Sequence, residues 1–241
     1  MRRRSASRRP LRTGWERPDI RGARVGSGHG MGDDEVTRAV LARYGTTYAD
    51  EAGIRLADEP GPLFQLLVLA QLLSARIGAG VAVATAQELF AAGWTTPARL
   101  RDAGRGAVVR ALGRGGYRRY DERTATQLRD MATLVLERYA ADLRGLARAA
   151  GEDAGRAAAL VQEVKGIGPT GAAVFLREVQ AVWPWVRPFL DDRARVGARR
   201  LGLPDDATAL AGLVGGGDLA RFAAALVRVA RLPESRDPLD D

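Results

Sequence analysis

From about residue 33 to residue 232 the apolar side chains recur at three- and four-residue spacings, and no stretch alternates apolar and polar residues convincingly as a half-buried strand would. This pattern predicts an all-α chain. Helices are expected over about 34–44, 62–76, 79–92, 96–103, 105–113, 117–139, 153–164, 169–182, 191–202, 207–214 and 218–231. Several have recognisable ends: Thr96-Pro97 supplies an N-cap and a first-turn proline, and Gly93, Gly113 and Gly202 suit C-terminal stops. The run Leu63 to Ser74 is apolar on almost every face, which marks a helix enclosed by others. It is too short to span a bilayer.

Between two of these helices lies Val164-Lys165-Gly166-Ile167-Gly168-Pro169-Thr170. The preceding helix, with Ala157, Leu160, Val161 and Val164 on one face, must end at Lys165-Gly166, because glycine readily adopts the left-handed conformation of a C-cap. Pro169 suits the first turn of the next helix, which carries Ala172, Ala173, Leu176 and Val179. A helix, a tight hairpin and a second helix result. Two readings stand: an ordinary αα-hairpin whose glycines only make the turn, or a backbone left bare so that a phosphate can reach unpaired N–H groups of the second helix.

Charge changes the picture less than its total implies. The net charge is +8, but residues 1–30 hold nine arginines against Glu16 and Asp19, so they account for +7 of it. The remainder is nearly neutral. Residues 1–32 have no hydrophobic periodicity and are expected to be a disordered basic extension. It is either an arm that holds nucleic acid nonspecifically or an upstream extension, with Met31 the true start. The preference for arginine, alanine and glycine beside one lysine, Lys165, reads as genome base composition rather than selection for phosphate contacts.

There is no cysteine, and the only histidine is His29, which excludes disulfides, thiolate nucleophiles and cysteine-held zinc or iron–sulfur centres. Any chemistry rests on carboxylates, hydroxyls, arginine, one lysine and the backbone, and no cofactor is expected. With 46% hydrophobic residues the chain can build real cores, and it lacks both an apolar run of membrane-spanning length and the apolar segment of a secretory signal. A cytoplasmic protein without a membrane partner is expected.

Taken in order, four segments resemble the helix–hairpin–helix DNA glycosylase superfamily, especially its endonuclease III-like branch. Leu72-Leu73-Ser74-Ala75-Arg76 is similar to the family's Leu-Leu-Ser-Ala-Gln, and Gly116-Tyr117-Arg118-Arg119 to its Gly-Phe/Tyr-Tyr-Arg. Val164 to Gly168 is similar to its Leu/Val-Pro-Gly-Val/Ile-Gly hairpin. Asp191, counted back without a gap from Arg200-Leu201-Gly202-Leu203, falls on its catalytic aspartate. The resemblance covers roughly residues 60–205 and implies a fold of two helical subdomains. One is a barrel at 60–182 with the hairpin motif at 155–182; the other combines 33–59 with 183–232, and 233–241 is a flexible tail.

The same resemblance implies double-stranded DNA as partner, a monomer associated with the nucleoid, and base excision. Asp191 would be the catalytic carboxylate, and Gly166, Ile167, Gly168, Thr170, Arg76, Tyr117 and Arg118 would contact DNA. An aspartate beside the sugar can stabilise the positive charge that develops as an N-glycosidic bond breaks, or deprotonate an attacking water. It can also simply cap the helix that follows, and the two roles are compatible. Arg76 would fill the gap left by an extruded base. Tyr117, Arg118, Arg119 and Tyr120 offer aromatic faces and cations for stacking and phosphate contacts.

Three departures from the family are informative. Thr170 stands where bifunctional members carry a lysine, and a hydroxyl cannot form a Schiff base, so a glycosylase without lysine-dependent strand cleavage is expected. Asp192-Arg193 replaces Thr-His, and the cysteines of the iron–sulfur cluster are missing. Lys165 is expected on the wrong side of the hairpin to substitute, and Trp183 and Trp185 are expected to pack between helices. The alternative is a noncatalytic DNA-binding protein that kept the scaffold and lost the chemistry.

Overall fold

The computed structural model describes residues 31–118 and 121–240. The expected basic extension over residues 1–30, His29, and the contacts assigned to Arg119 and Tyr120 lie outside the described residues. Among those described, the chain is all-helical. The helices are α1 (Asp33–Tyr44), α2 (Tyr48–Glu51), α3 (Pro60–Ser74), α4 (Ala79–Ala91), α5 (Pro97–Asp102), α6 (Arg105–Arg114), α7 (Asp121–Tyr139), α8 (Arg144–Ala150), α9 (Ala154–Gln162), α10 (Pro169–Val179), α11 (Asp192–Arg200), α12 (Ala207–Gly212) and α13 (Leu219–Val229). None is long and apolar enough to cross a membrane.

α3 is enclosed as its pattern predicts. Leu63, Phe64, Leu66, Leu67, Val68, Leu69, Ala70 and Leu72 are all fully buried, so its faces are taken by neighbours in every direction. Each such leucine or phenylalanine contributes about 1.5–3 kcal/mol of transfer free energy, which makes α3 the axis of the larger core. Around it pack α4 and α10, with α6, α7 and α9 outside them. Trp183 belongs to this core: it lies edge-on to Phe175 at 5.8 Å, stacks on Trp185 at 5.2 Å and donates from Nε1 to Asp58 at 2.8 Å.

A smaller core joins Val36 and Val40 of α1 to Leu190, Ala194, Ala198 and the buried face of α13. α11 and α13 approach so closely that a Cβ on Gly197 would stand 1.9 Å from the carbonyl oxygen of Leu226. Besides Trp183 and Val186, which pack in the larger core although the expected boundaries put them in the second subdomain, two segments depart from those boundaries. Tyr48, Ala49, Ala52 and Ile54 pack into the larger core rather than with α1, because the buried carboxylate of Glu178 on α10 accepts the amides of Tyr48 and Ala49 and holds α2 there. The stretch after residue 232 is held, not loose: Leu239 packs against the smaller core, Tyr44 donates to the Pro238 carbonyl at 3.1 Å, and Arg200 donates to the carbonyls of Pro233 and Arg236.

Candidate nucleic-acid interface and active site

The hairpin between α9 and α10 forms because its two glycines do different things. Gly166 has φ of +98°, a conformation that side chains oppose, and a Cβ there would also press on the Gln127 amide at 2.9 Å. Gly168 has φ of −99° and nothing within 4 Å of where a Cβ would stand, so it faces open space at the N-cap of α10. Beyond it Pro169 occupies the first helical position.

Not every hairpin amide is available. The Ile167 N–H donates to the Val164 carbonyl at 2.9 Å and its side chain is buried, so Ile167 braces the turn and offers no free amide, contrary to the sequence expectation. Among the described residues, the amides of Gly166, Gly168 and Thr170 have no acceptor, the first in the turn and the other two at the start of α10, where a helix leaves its N–H groups unpaired. The hairpin is pinned to the end of α3, where a Cβ on Gly171 would stand 1.9 Å from Ser74 Oγ. That contact links the Leu72 to Arg76 segment to the hairpin.

Asp191 is the N-cap of α11. Its Oδ1 accepts the Ala194 amide at 2.9 Å, and its Oδ2 accepts from Arg177 Nη1 at 2.5 Å. The Arg177 side chain is 2% exposed and Asp191 15%, so the pair is largely shielded from water. Arg177 comes from α10, and its neighbour Glu178 is buried against the first-turn amides of α2; burial pushes the Glu178 carboxyl above the usual carboxylate range, with the Arg177 guanidinium opposing. Next along the helix end, Gln180 donates to the Phe189 carbonyl and accepts the Phe189 amide, which fixes the backbone leading to Asp191. Arg177 and the C-cap Gln180, at the C-terminal end of α10, thus set the position of one carboxylate.

Two clefts adjoin the hairpin. One, of about 270 Å³, is lined by Pro169 and Thr170 of the hairpin helix and by Arg177, Asp191, Asp192, Arg193 and Arg231. It brings together two predicted site residues, Thr170 and Asp191. The other, of about 390 Å³, is lined by Arg76, Tyr117, Gly166, Gln71, Thr124 and Gln127. Tyr117 is buried and its hydroxyl is engaged with that of Thr124 at 2.9 Å, so it forms a wall rather than an exposed stacking platform. Arg118 is exposed and lines neither cleft. Lys165 is 69% exposed, pairs with Asp130 of α7 at 3.3 Å, and is absent from the lining of the Asp191 cleft.

Arg177, Glu178 and Gln71 escaped the sequence reading. The signal present was a polar residue inside an otherwise apolar helix, as at Gln71 in the Leu66 to Leu73 run and at Arg177-Glu178 between Leu176 and Val179.

No protein-family model and no curated protein sequence matches the chain. A solved structure of a trapped endonuclease III–DNA covalent intermediate, an estranged-adenine complex, overlaps 82% of this chain and 85% of its own at 15% identity, with a TM-score of 0.45. A likeness of that degree is too loose to assign function.

Proposed function

We propose that this protein is a monofunctional DNA glycosylase, which binds duplex DNA through its hairpin and hydrolyses the N-glycosidic bond of a damaged or mismatched base. The observation that carries this reading is the shared cleft of Thr170 and Asp191, in which a rigid carboxylate stands beside the start of the hairpin helix. A phosphate at the free amides of Gly168 and Thr170 would be held by hydrogen bonds and by the helix dipole. Asp191 then faces the sugar of the extruded nucleotide, where it stabilises the developing positive charge and orients water. Each of its oxygens keeps a lone pair beyond the bond it already accepts, so it can do so without leaving its partners. Thr170 gives no amine for a covalent sugar intermediate, so base release ends at an intact abasic strand.

The Arg177–Asp191 pair favours a second reading, a noncatalytic DNA-binding protein, because a guanidinium against the carboxylate offsets part of the field that the sugar would feel. A panel of duplexes carrying uracil, oxidised, alkylated and mismatched bases, scored for alkali-labile sites, separates the two. Base release from at least one duplex supports the enzyme; binding without release from any of them supports the second reading.

A further inference from the structure

We propose that the cleft beside Arg76 is a nucleobase-reading pocket in which the side-chain amide of Gln71 pairs with the hydrogen-bonding edge of a base. Gln71 lines this cleft and is 4% exposed, yet neither its Nε2 nor its Oε1 makes a hydrogen bond to any described residue. Buried amides are nearly always paired, and one left bare on both atoms at a cavity wall calls for a partner that enters from outside.

The other lining groups narrow what that partner is. Tyr117 and Thr124 use their hydroxyls on each other and so do not satisfy Gln71. The ring of Tyr117 supplies an apolar wall, Gln127 a second amide, and the exposed Arg76 and Arg123 cations at the rim that form no ion pair with described residues. An amide presents one donor and one acceptor side by side, which is the complement of a base edge and is how glutamine pairs bidentately with adenine. An aromatic wall, an amide and cations at the mouth match a planar heterocycle on a phosphate backbone. The cleft reaches the hairpin through Gly166, so a base there belongs to the same duplex that the hairpin holds. The inference therefore rests on the DNA-binding part of the proposed function. The base comes from one of two places: extruded from the duplex, or left opposite the extruded one.

Fluorescence anisotropy with the full chain and two sets of duplexes tests this. In the first set a tetrahydrofuran abasic analogue faces A, C, G or T; in the second a non-hydrolysable 2′-fluorinated A, C, G or U is itself mispaired. Wild type is expected to spread at least about tenfold in Kd across one set, and Gln71→Met to shrink that spread to about twofold while binding to undamaged duplex is unchanged. The set that collapses identifies the source of the base. Gln71→Glu, which only accepts hydrogen bonds, should shift preference toward the bases with an exocyclic amino donor, A, C and G, and away from T or U, and carries the test should Gln71→Met fail to fold. A wild-type spread that survives both substitutions, or no spread at all with binding intact, overturns the pocket and leaves the hairpin reading standing. Failure of wild type to bind any duplex overturns both.

Discussion

The guanidinium of Arg177, buried on α10, meets the carboxylate of Asp191, the N-cap of α11, at 2.5 Å across fourteen residues of sequence. The contact ties the hairpin helix, which packs on α3, to the helix that packs on α13, so the candidate carboxylate is fixed by both cores. Removing the cation leaves a shielded carboxylate without its partner. Arg177→Met should therefore cost about 3 kcal/mol in urea unfolding, and Arg177→Met combined with Asp191→Asn should recover part of that loss.

At the hairpin, two glycines respond in opposite ways. Gly171→Ala drives a methyl into Ser74 Oγ and into the Ile167 side chain, 2.9 Å from its Cγ2, and should cost about 1–3 kcal/mol in thermal unfolding, partly restored by Ser74→Ala. Gly168→Ala meets only open space and should change stability by less than about 1 kcal/mol. It nevertheless puts a methyl at the mouth of the free amides. Its DNA affinity should fall while its melting curve stays, and unchanged affinity would remove the hairpin from the interface.

Glu178 gives the fold a pH dependence of its own. Burial raises its folded pKa above its unfolded value, so between those two values the folded state holds a proton that the unfolded state has released. The contribution is favourable below the unfolded pKa and is lost as pH rises through the raised one. Stability of wild type relative to Glu178→Gln should thus fall as pH climbs above the usual glutamate range, read from urea midpoints at stepped pH. A flat difference would mean that Glu178 titrates as it does in the unfolded chain.

Covalent trapping tests the departure at Thr170. Borohydride added to the protein with abasic duplex should yield no stable adduct, because the only lysine, Lys165, pairs with Asp130 and lies off the Asp191 cleft. An adduct lost in Lys165→Ala would restore a lyase.

Much of this architecture was legible in the residues. The unbroken apolar surface of α3 and the aspartate opening α11 are local signals, carried by periodicity and capping, and they stand where the pattern puts them, whereas α9 ends at Gln162 rather than at Lys165-Gly166 and Gly166 takes its left-handed conformation in the turn beyond. The four-residue α2 was not legible, since beside its local Thr47–Asp50 capping box it is held by Glu178, well over a hundred residues away, which accepts the Tyr48 and Ala49 amides. Nor was the burial of Tyr117, which packs in the larger core with its hydroxyl bonded to that of Thr124 on α7. The buried amide of Gln71 and the Arg177–Asp191 pair share this character: each polar group is unremarked in its own helix and acquires meaning from what the tertiary fold sets beside it.

The central claim is tested most directly by base release from the panel duplex that wild type processes, measured in single turnover beside binding to its non-hydrolysable 2′-fluorinated counterpart. Asp191→Asn should lose at least about 100-fold in release with its affinity for the counterpart within about threefold of wild type. Equal release by Asp191→Asn and wild type, with Asp191→Asn folded and bound, would contradict the assignment of Asp191 as the catalytic carboxylate.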